Sequence, residues 1–375
     1  MVARQKLKGG DASWLARCVR EVDWLSLAER AFQEGLAPFL YDHFRSMGLI
    51  EAVPPDTAKF LSRIYTETFL VNRHLLETLA DLDKMLSERG LQVIVFKGMA
   101  ILQTVYRNPA LRPMEDIDLI VRQEQKASLK EALEEMGFVQ KRLYPDGFSK
   151  GILAIDIHRS FISSERIGSR EDIMDVQWDE VWKNAVPIGK SASLLGLAFN
   201  DQMVALSYHL LKHRYGRLIW LADISETIEA HLPILDWEGL TAYCRRIRAD
   251  RIVLYALLMT QHLLGCEVSD KVLIGLGRDG LSAIESHILS LRLLPASPGT
   301  VMDLLWLFQI RTTGKKIRFI KENLFPRREI MNQIFPGSSQ RTGTSLMRLL
   351  LVVRQILSDF LRSFKGILKS GLPPL

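Results

Sequence analysis

The sequence predicts an α+β protein, in which a small mixed β-sheet with covering helices lies between an N-terminal helical segment and a C-terminal helical domain. Short apolar, β-branched runs alternate with helical segments between residues 91 and 159, and helical periodicity dominates on both sides of that region. A pair of carboxylates opens one of the apolar runs. The expected units are 1–90 (N-terminal helices), 91–195 (the α/β unit), 196–335 (the helical domain) and 336–375 (a basic amphipathic helical tail).

Composition is that of an ordinary globular protein. Of the 375 residues, 47% are apolar and 25% are charged, which argues against global disorder and allows two or three domains. The three cysteines are scattered, so we expect neither a disulfide framework nor a zinc knuckle, and a reducing cytoplasm is the simplest location. The N-terminus lacks an apolar segment and no uncharged apolar run reaches ~18 residues, so we expect no signal peptide and no membrane-spanning helix.

The N-terminal helices are predicted from apolar spacing and from the residues that end them. Residues 12–48 carry apolar side chains at helical intervals. A second helix is expected to begin near Asp56 and to run to about Arg89, with Gly90 as its C-cap.

The α/β unit reads as strand, helix, strand, helix, strand, turn and strand. Its first strand, Val93–Phe96, stops at Lys97-Gly98, and a helical stretch follows. The remaining pieces are expected as a strand at Ile117–Val121, a helix at 123–136, a strand at 138–139, a turn at 144–147 and a strand at 153–157. The C-terminal domain is expected to contain helices at 201–215, 218–231, 236–249, 251–265 and 281–293.

Three aspartates in this unit form the candidate site. Asp116 and Asp118 open an otherwise apolar strand, and alternate residues of a strand point to the same face, so the two carboxylates stand side by side. Like charges this close repel each other unless a cation lies between them, and Mg²⁺ is the usual cation. Asp156 in a later strand adds a third carboxylate, as metal-assisted phosphoryl or nucleotidyl transfer with one or two Mg²⁺ ions requires. The Asp-x-Asp spacing alone is common, and its coupling to a glycine turn and a third carboxylate is what favours a metal site.

The motifs that carry a wider resemblance extend beyond these aspartates. They are Lys97-Gly98, Arg112, Asp116-Ile-Asp118, Asp156-Ile-His158 and the stretches at 200–206, 209–214, 217–224 and 235–237. Together they resemble the bacterial family of uncharacterised nucleotidyltransferases, in the DNA polymerase β-like superfamily of minimal nucleotidyltransferases, over about 24–336. The resemblance implies a Mg²⁺-dependent enzyme that moves a nucleoside monophosphate from a nucleoside triphosphate, with ATP the expected donor, to a hydroxyl on a small-molecule, peptide or protein acceptor.

The resemblance also implies roles for individual residues. Asp116 and Asp118 would hold metal, and Asp156 would bind a second ion or help to activate the acceptor. The superfamily's usual Gly-Ser turn is replaced here by Lys97-Gly98, so Lys97 and the backbone amides after Gly98 are expected to contact phosphates.

Five further side chains are candidates with alternatives. Arg112 either contacts phosphate or neutralises Asp116. His158 either orients a carboxylate, touches the acceptor or has a structural role. His209 and His213, one helical turn apart, are expected with Asp223 to line the acceptor pocket; the alternatives are two buried, hydrogen-bonded histidines or a zinc site, although no Glu follows His209 as H-E-x-x-H requires.

The net charge of +6 comes from residues 311–375, which include the tail. Residues 311–375 contain 13 Lys and Arg against 3 Asp and Glu, whereas the rest of the chain contains 36 basic and 40 acidic residues. The mildly acidic body argues against long nucleic acid as the acceptor. The apolar and basic stretch at 346–368 fits a helix on the inner membrane surface, on the protein's own body or on a partner. Relatives of the family in operons for peptides or surface polysaccharides suggest biosynthetic tailoring by analogy.

Two other functions stay open at the level of sequence. The first alternative is the same fold kept as a catalytically silent binding module, with the basic tail as its working surface. The second is a phosphotransferase that uses the same carboxylates. Metal-dependent nucleotide binding that needs the carboxylates separates an enzyme from a binding module. The leaving group, pyrophosphate or nucleoside diphosphate, separates the two enzymes.

Overall fold

A computed structural model describes residues 22–142, 144–162, 167–291 and 301–324, together with Ser358. Within these residues it has fourteen α-helices and one seven-stranded mixed sheet, and helices both precede and follow the sheet. The predicted α+β class is therefore confirmed. The basic helix predicted at 346–368 lies outside the described residues, apart from Ser358.

The helices and strands are numbered here in chain order. The helices are α1 (Trp24–Gln33), α2 (Ala37–Ser46), α3 (Pro55–Glu88), α4 (Lys97–Thr104), α5 (Lys126–Glu135), α6 (Trp178–Asn184), α7 (Phe199–Lys212), α8 (Leu218–His231), α9 (Trp237–Arg246), α10 (Asp250–Leu264), α11 (Asp270–Gly275), α12 (Ala283–Leu291), α13 (Leu305–Gln309) and α14 (Thr313–Leu324). The strands are β1 (Val93–Phe96), β2 (Ile117–Val121), β3 (Val139–Lys141), β4 (Tyr144–Lys150), β5 (Leu153–His158), β6 (Val186–Pro187) and β7 (Leu194–Gly196).

The strand order places β2 at the centre of the sheet. The order is β3-β4-β5-β2-β1-β7-β6. Strand β1 runs antiparallel to β2 and parallel to β7, and β2 runs parallel to β5. Every residue of β1 and β2 is buried, as expected of strands with both faces covered. Strands β2 and β5, which carry the predicted carboxylates, are therefore direct neighbours, with β2 fully buried and β5 buried only in part.

The turn predicted at 144–147 is wrong. These residues belong to β4, which pairs with β3 on one side and β5 on the other. The chain reverses instead at Gly151, whose φ of 60° is easily reached by glycine. Gly147 has a different reason to be glycine, because a Cβ there would lie 3.0 Å from Cδ of Lys141 and 3.1 Å from Oδ1 of Asp156.

One continuous hydrophobic core extends from the sheet into the C-terminal helices. Helix α10 is buried along most of its length and packs against α7 and α8. Helix α3 joins this core through Leu75, Leu79, Leu82 and Leu86, while its first turns pack in a second, smaller core with α1 and α2. In the described parts of the chain, no helix is both long enough and apolar enough to span a bilayer.

A buried asparagine on α3 fixes the loop that leads to β2. Asn72 is fully buried, and its Nδ2 donates hydrogen bonds to the backbone oxygens of Pro109 (2.6 Å) and Arg112 (2.8 Å). The loop that precedes Asp116 is thereby attached to the longest helix.

We predict that Asn72→Ala lowers the free energy of unfolding by about 2 kcal/mol, because it leaves two carbonyl groups without their donor. Urea denaturation followed by circular dichroism measures the change. Arg73→Ala is the matched control, since Arg73 is exposed and its ion pair with Glu77 lies on the surface. A stability of Asn72→Ala equal to that of the control would contradict this account.

Candidate functional site

The sheet register brings the three predicted carboxylates to one place. Asp118 lies opposite Asp156 across the parallel β2–β5 pair and opposite Phe96 across the antiparallel β1–β2 pair. Asp116 directly precedes β2. In addition to burial, the negative charges of Asp118 and Asp156 raise the pKa of Asp116. The three aspartates therefore form one electrostatically coupled group.

Asp118 is the buried centre of this group. Its side chain is 8% exposed, and its Oδ1 contacts Nζ of Lys97 at 2.5 Å and Nε2 of His158 at 2.7 Å. Burial alone would raise the pKa of Asp118. The Lys97 ammonium and the hydrogen bond from His158 outweigh burial and hold the pKa well below its usual range. Asp118 is therefore ionised at every physiological pH.

Asp116 has the opposite electrostatic character. Burial, and then the negative charge of Asp118, raise the pKa of Asp116 to about 7. Lys97 and His158 therefore do not compensate for all of the negative charge of the three aspartates. Carboxylate oxygens suit hard divalent cations, so the donor chemistry of Asp116 and Asp118 fits Mg²⁺. Within the described ranges, however, no three His, Cys, Asp or Glu side chains are arranged to hold a metal ion, and Asp118 is engaged with Lys97 and His158 instead.

The Lys97-Gly98 turn joins β1 to α4 in an unusual conformation. Lys97 has a φ of 53°, in the left-handed region that side chains other than glycine and asparagine seldom adopt. Phe96, which precedes α4, makes no side-chain cap to the first turn of this helix, and Gly98, Met99 and Ala100 in that turn are buried. A Cβ at Gly98 would lie 2.8 Å from Sδ of Met114 and 2.9 Å from Cζ of Arg112. Glycine at position 98 is therefore needed for packing.

Arg112 and Asp223 have partners that differ from those expected. The Arg112 guanidinium forms two parallel hydrogen bonds to Asp223, 3.1 Å from Nε to Oδ1 and 2.8 Å from Nη2 to Oδ2. Tyr106 donates a third hydrogen bond to Asp223 at 3.0 Å. The Asp223 side chain is 1% exposed, so it cannot touch a substrate in this conformation. Arg112 is held in this buried pair, and its positive charge also offsets part of the increase in the pKa of Asp116 that burial causes, which agrees with the expected neutralisation of Asp116.

The two predicted histidines and Trp220 form a cluster of tilted and edge-to-face ring contacts beside the carboxylates. The ring centroids of His209 and His213 are 4.5 Å apart, and those of Trp220 lie 4.8 Å and 5.2 Å from them. Burial, helped by the positive charge of Lys97, lowers the pKa of His209 well below its ordinary value. Burial and the neighbouring Lys212 lower the pKa of His213 to about 4. Both rings are therefore neutral at pH 7, and neither joins a metal cluster in the described residues.

A cleft of about 910 Å³ opens beside Asp156, His158 and His213. Its walls carry cations from four separate parts of the chain: Lys126, Lys141, Arg159, Arg170, Lys212 and Arg214. Sequence reasoning missed them, although Lys212 and Arg214 flank the predicted His213. The lining also contains Asp146, Asp156 and Glu171, which pair with Lys126, Lys141 and Arg159, so the cleft carries an excess of positive charge and not cations alone.

Part of the cleft wall is held by the C-terminal helices. Asp303 accepts hydrogen bonds from Arg170 at 3.3 Å and from Arg214 at 2.6 Å, which joins two cleft residues that are distant in sequence. Glu322 of α14 accepts a hydrogen bond of 2.8 Å from the backbone N–H of Ser169. The 301–324 segment therefore fixes the position of two cleft arginines.

Comparison with known proteins identifies the family. A family model described as "Uncharacterised nucleotidyltransferase" matches residues 20–265, about two thirds of the chain. The chain belongs to this nucleotidyltransferase family. The match ends at the end of α10, short of the expected limit near residue 336. Neither a curated protein nor a solved structure matches the nucleotidyltransferase chain.

We predict that Asp116→Asn stabilises the protein in EDTA, with a gain that grows with pH. A carboxylate whose pKa is higher in the folded state than in the unfolded state loses folding free energy as pH rises between the two values, here from about 4 to about 7. The gain should be small at pH 4 and on the order of 3 kcal/mol above pH 7. Thermal unfolding across this range measures it, and Mg²⁺ should reduce the gain by stabilising the wild type.

Asp118→Asn is the matched comparison and should have the opposite effect. It leaves the Lys97 ammonium and His158 without their carboxylate, so it should destabilise the protein by about 3 kcal/mol at pH 7. Equal effects of the two substitutions would contradict the distinct roles assigned to these aspartates.

Proposed function

We propose that this protein is a Mg²⁺-dependent nucleotidyltransferase that acts in the cytoplasm and transfers a nucleoside monophosphate from a nucleoside triphosphate to a hydroxyl of an acceptor. The observation that carries the proposal is the coupled group Asp116, Asp118 and Asp156, which lies between an uncapped helix N-terminus and a cationic cleft. Phosphoryl-transfer sites need these elements, because their work is to position phosphates and to stabilise developing charge.

Each residue near the carboxylates has a role in this proposal. Asp116 and Asp118 would hold the Mg²⁺ ion, which when bound neutralises charge on the phosphates and the leaving group. Lys97 and the first N–H groups of α4 would bind phosphate oxygens. Asp156 is 38% exposed on the cleft side and lies 3.3 Å from Nζ of Lys141. It would orient the acceptor hydroxyl and accept its proton.

The cleft supports a polyanionic donor and an additional acceptor. Its lining carries six cations against three carboxylates, a positive excess that would attract a triphosphate, although five of the cations are also paired with carboxylates of the protein. Its volume of about 910 Å³ is near the upper end of the range for ligand pockets. We take ATP as the donor and a small molecule, peptide or protein as the acceptor. His158 and His213 line this cleft and would contact the acceptor.

One observation favours the alternative of a catalytically silent binding module. Asp118 already has two partners, Lys97 and His158, so the group is partly neutralised by the protein itself. A binding module would keep these contacts for stability and would not need Mg²⁺.

The test is calorimetric titration of each of the four nucleoside triphosphates, with Mg²⁺, into the wild type and into Asp116→Ala/Asp118→Ala. We expect Mg²⁺-dependent binding of one nucleotide by the wild type and at least a hundredfold weaker binding by the double variant, because the metal ligands are gone. Asp279→Ala, at an exposed position far along the chain, is the control and should bind as the wild type does. Equal nucleotide affinity of the wild type and the folded double variant would refute the proposed site.

The leaving group distinguishes nucleotidyl transfer from phosphoryl transfer without knowledge of the acceptor. Transferases hydrolyse their donor slowly when water replaces the acceptor. We expect AMP and pyrophosphate to accumulate from ATP, at a rate that falls in Asp156→Asn. Formation of ADP and phosphate instead would indicate a phosphotransferase that uses the same carboxylates.

A further inference from the structure

Lys97 occupies the position on Asp118 that a cation would take. Its ammonium lies 2.5 Å from Oδ1 of Asp118 and 4.7 Å from the ring centroid of Phe96, and its side chain is 18% exposed. Nε2 of His158 lies 2.7 Å from the same carboxylate oxygen. Oδ1 of Asp118 therefore already accepts two partners, and a divalent ion at that oxygen would compete with Lys97 directly.

The backbone of Lys97 has a conformation that lysine seldom adopts. The residue adopts a φ of 53°, and such conformations persist where surrounding contacts over-determine them. Lys97 is also the first residue of α4, whose N-terminal N–H groups have no side-chain cap. The ammonium is thus attached at the point where an anion would be bound, while it is paired with a carboxylate of the sheet.

We propose that Lys97 is an exchangeable counter-cation, which neutralises Asp118 in the metal-free protein and moves to a phosphate of the donor when Mg²⁺ and nucleotide bind together. This inference rests on the proposed function. Without nucleotide, Lys97 and a divalent ion repel each other at Asp118, so the ion alone binds weakly. A triphosphate gives the ammonium a new anionic partner, so Lys97 can leave Asp118. Metal and donor therefore bind as a unit.

If this exchange occurs, Lys97 has opposite effects on two affinities, that for the free metal ion and that for the nucleotide. Its removal should favour binding of the free metal ion, because a competing positive charge is lost. The same change should weaken binding of the nucleotide, because a phosphate partner is lost. A lysine that only stabilises the fold would produce neither pattern.

The test uses Mn²⁺ binding measured by electron paramagnetic resonance, with and without a non-hydrolysable ATP analogue, on the wild type, Lys97→Met and Lys97→Gly. We expect both variants to bind Mn²⁺ alone at least tenfold more tightly than the wild type, and to bind the analogue in the presence of Mn²⁺ at least tenfold more weakly. Lys97→Gly accommodates the positive φ, so it keeps the test usable if Lys97→Met fails to fold. Lys130→Met removes a lysine paired with Asp146 and should change neither affinity.

The proposal is overturned if the folded Lys97 variants bind Mn²⁺ alone no more tightly than the wild type. Failure of the proposed function has a different signature, because the wild type would then bind no nucleotide in the presence of Mn²⁺. Mn²⁺ binding measured without nucleotide tests the role of Lys97 whether or not the wild type binds a nucleotide.

Discussion

A buried negative charge at Asp118 is the constraint on which the described structure depends. A carboxylate in the centre of a covered sheet is costly unless cations and hydrogen bonds compensate for its lost hydration. Lys97 at the end of β1 and His158 at the end of β5 provide that compensation from the two strands that flank β2. The three central strands are thus joined by charge as well as by their backbone hydrogen bonds.

A second buried ion pair fixes the loop that leads to Asp116 and Asp118. Arg112 and Asp223 connect the loop before β2 to helix α8, and Asn72 of α3 holds the same loop from the other side. Removal of one member of such a pair lowers the free energy of unfolding more than replacement of both members by apolar residues does. The reason is that the remaining charge is left buried without a partner. The position of Asp116 therefore depends on contacts from both the N-terminal and the C-terminal helices.

The parts of the fold that could be predicted are those set by local pattern. The apolar runs of β1 and β2, the helix over Pro55–Glu88 and the glycine that ends it follow from short-range spacing and backbone preference. The prediction of a turn at 144–147 is wrong because it takes Gly147 as a turn residue. The glycine is instead required by its contacts with Lys141 and Asp156 across the sheet. Turn composition alone does not distinguish these two roles of glycine.

Lys97 and His158 could be named from the sequence but not paired with Asp118, whereas the three carboxylates of the candidate site could be grouped together. Their spacing in β2 and β5 is visible in the sequence, and the register that places Asp118 opposite Asp156 follows from the pairing of the two strands. Asp223, the partner of Arg112, lies 111 residues further along the chain. The cations of the cleft extend from Lys126 to Arg214, so no local spacing contains them. The left-handed φ of Lys97 is also set by tertiary contacts, because lysine has no intrinsic preference for it.

The central claim is that Asp116 and Asp118 together bind a divalent cation and the phosphates of a nucleotide. The most direct measurement is the anomalous signal of Mn²⁺ in crystals grown with a non-hydrolysable nucleoside triphosphate analogue. The account predicts a Mn²⁺ peak bonded to carboxylate oxygens of both aspartates and to the triphosphate, with Nζ of Lys97 moved from Asp118 to a phosphate oxygen. A nucleotide bound with Mn²⁺ elsewhere, while Lys97 stays on Asp118, would contradict it.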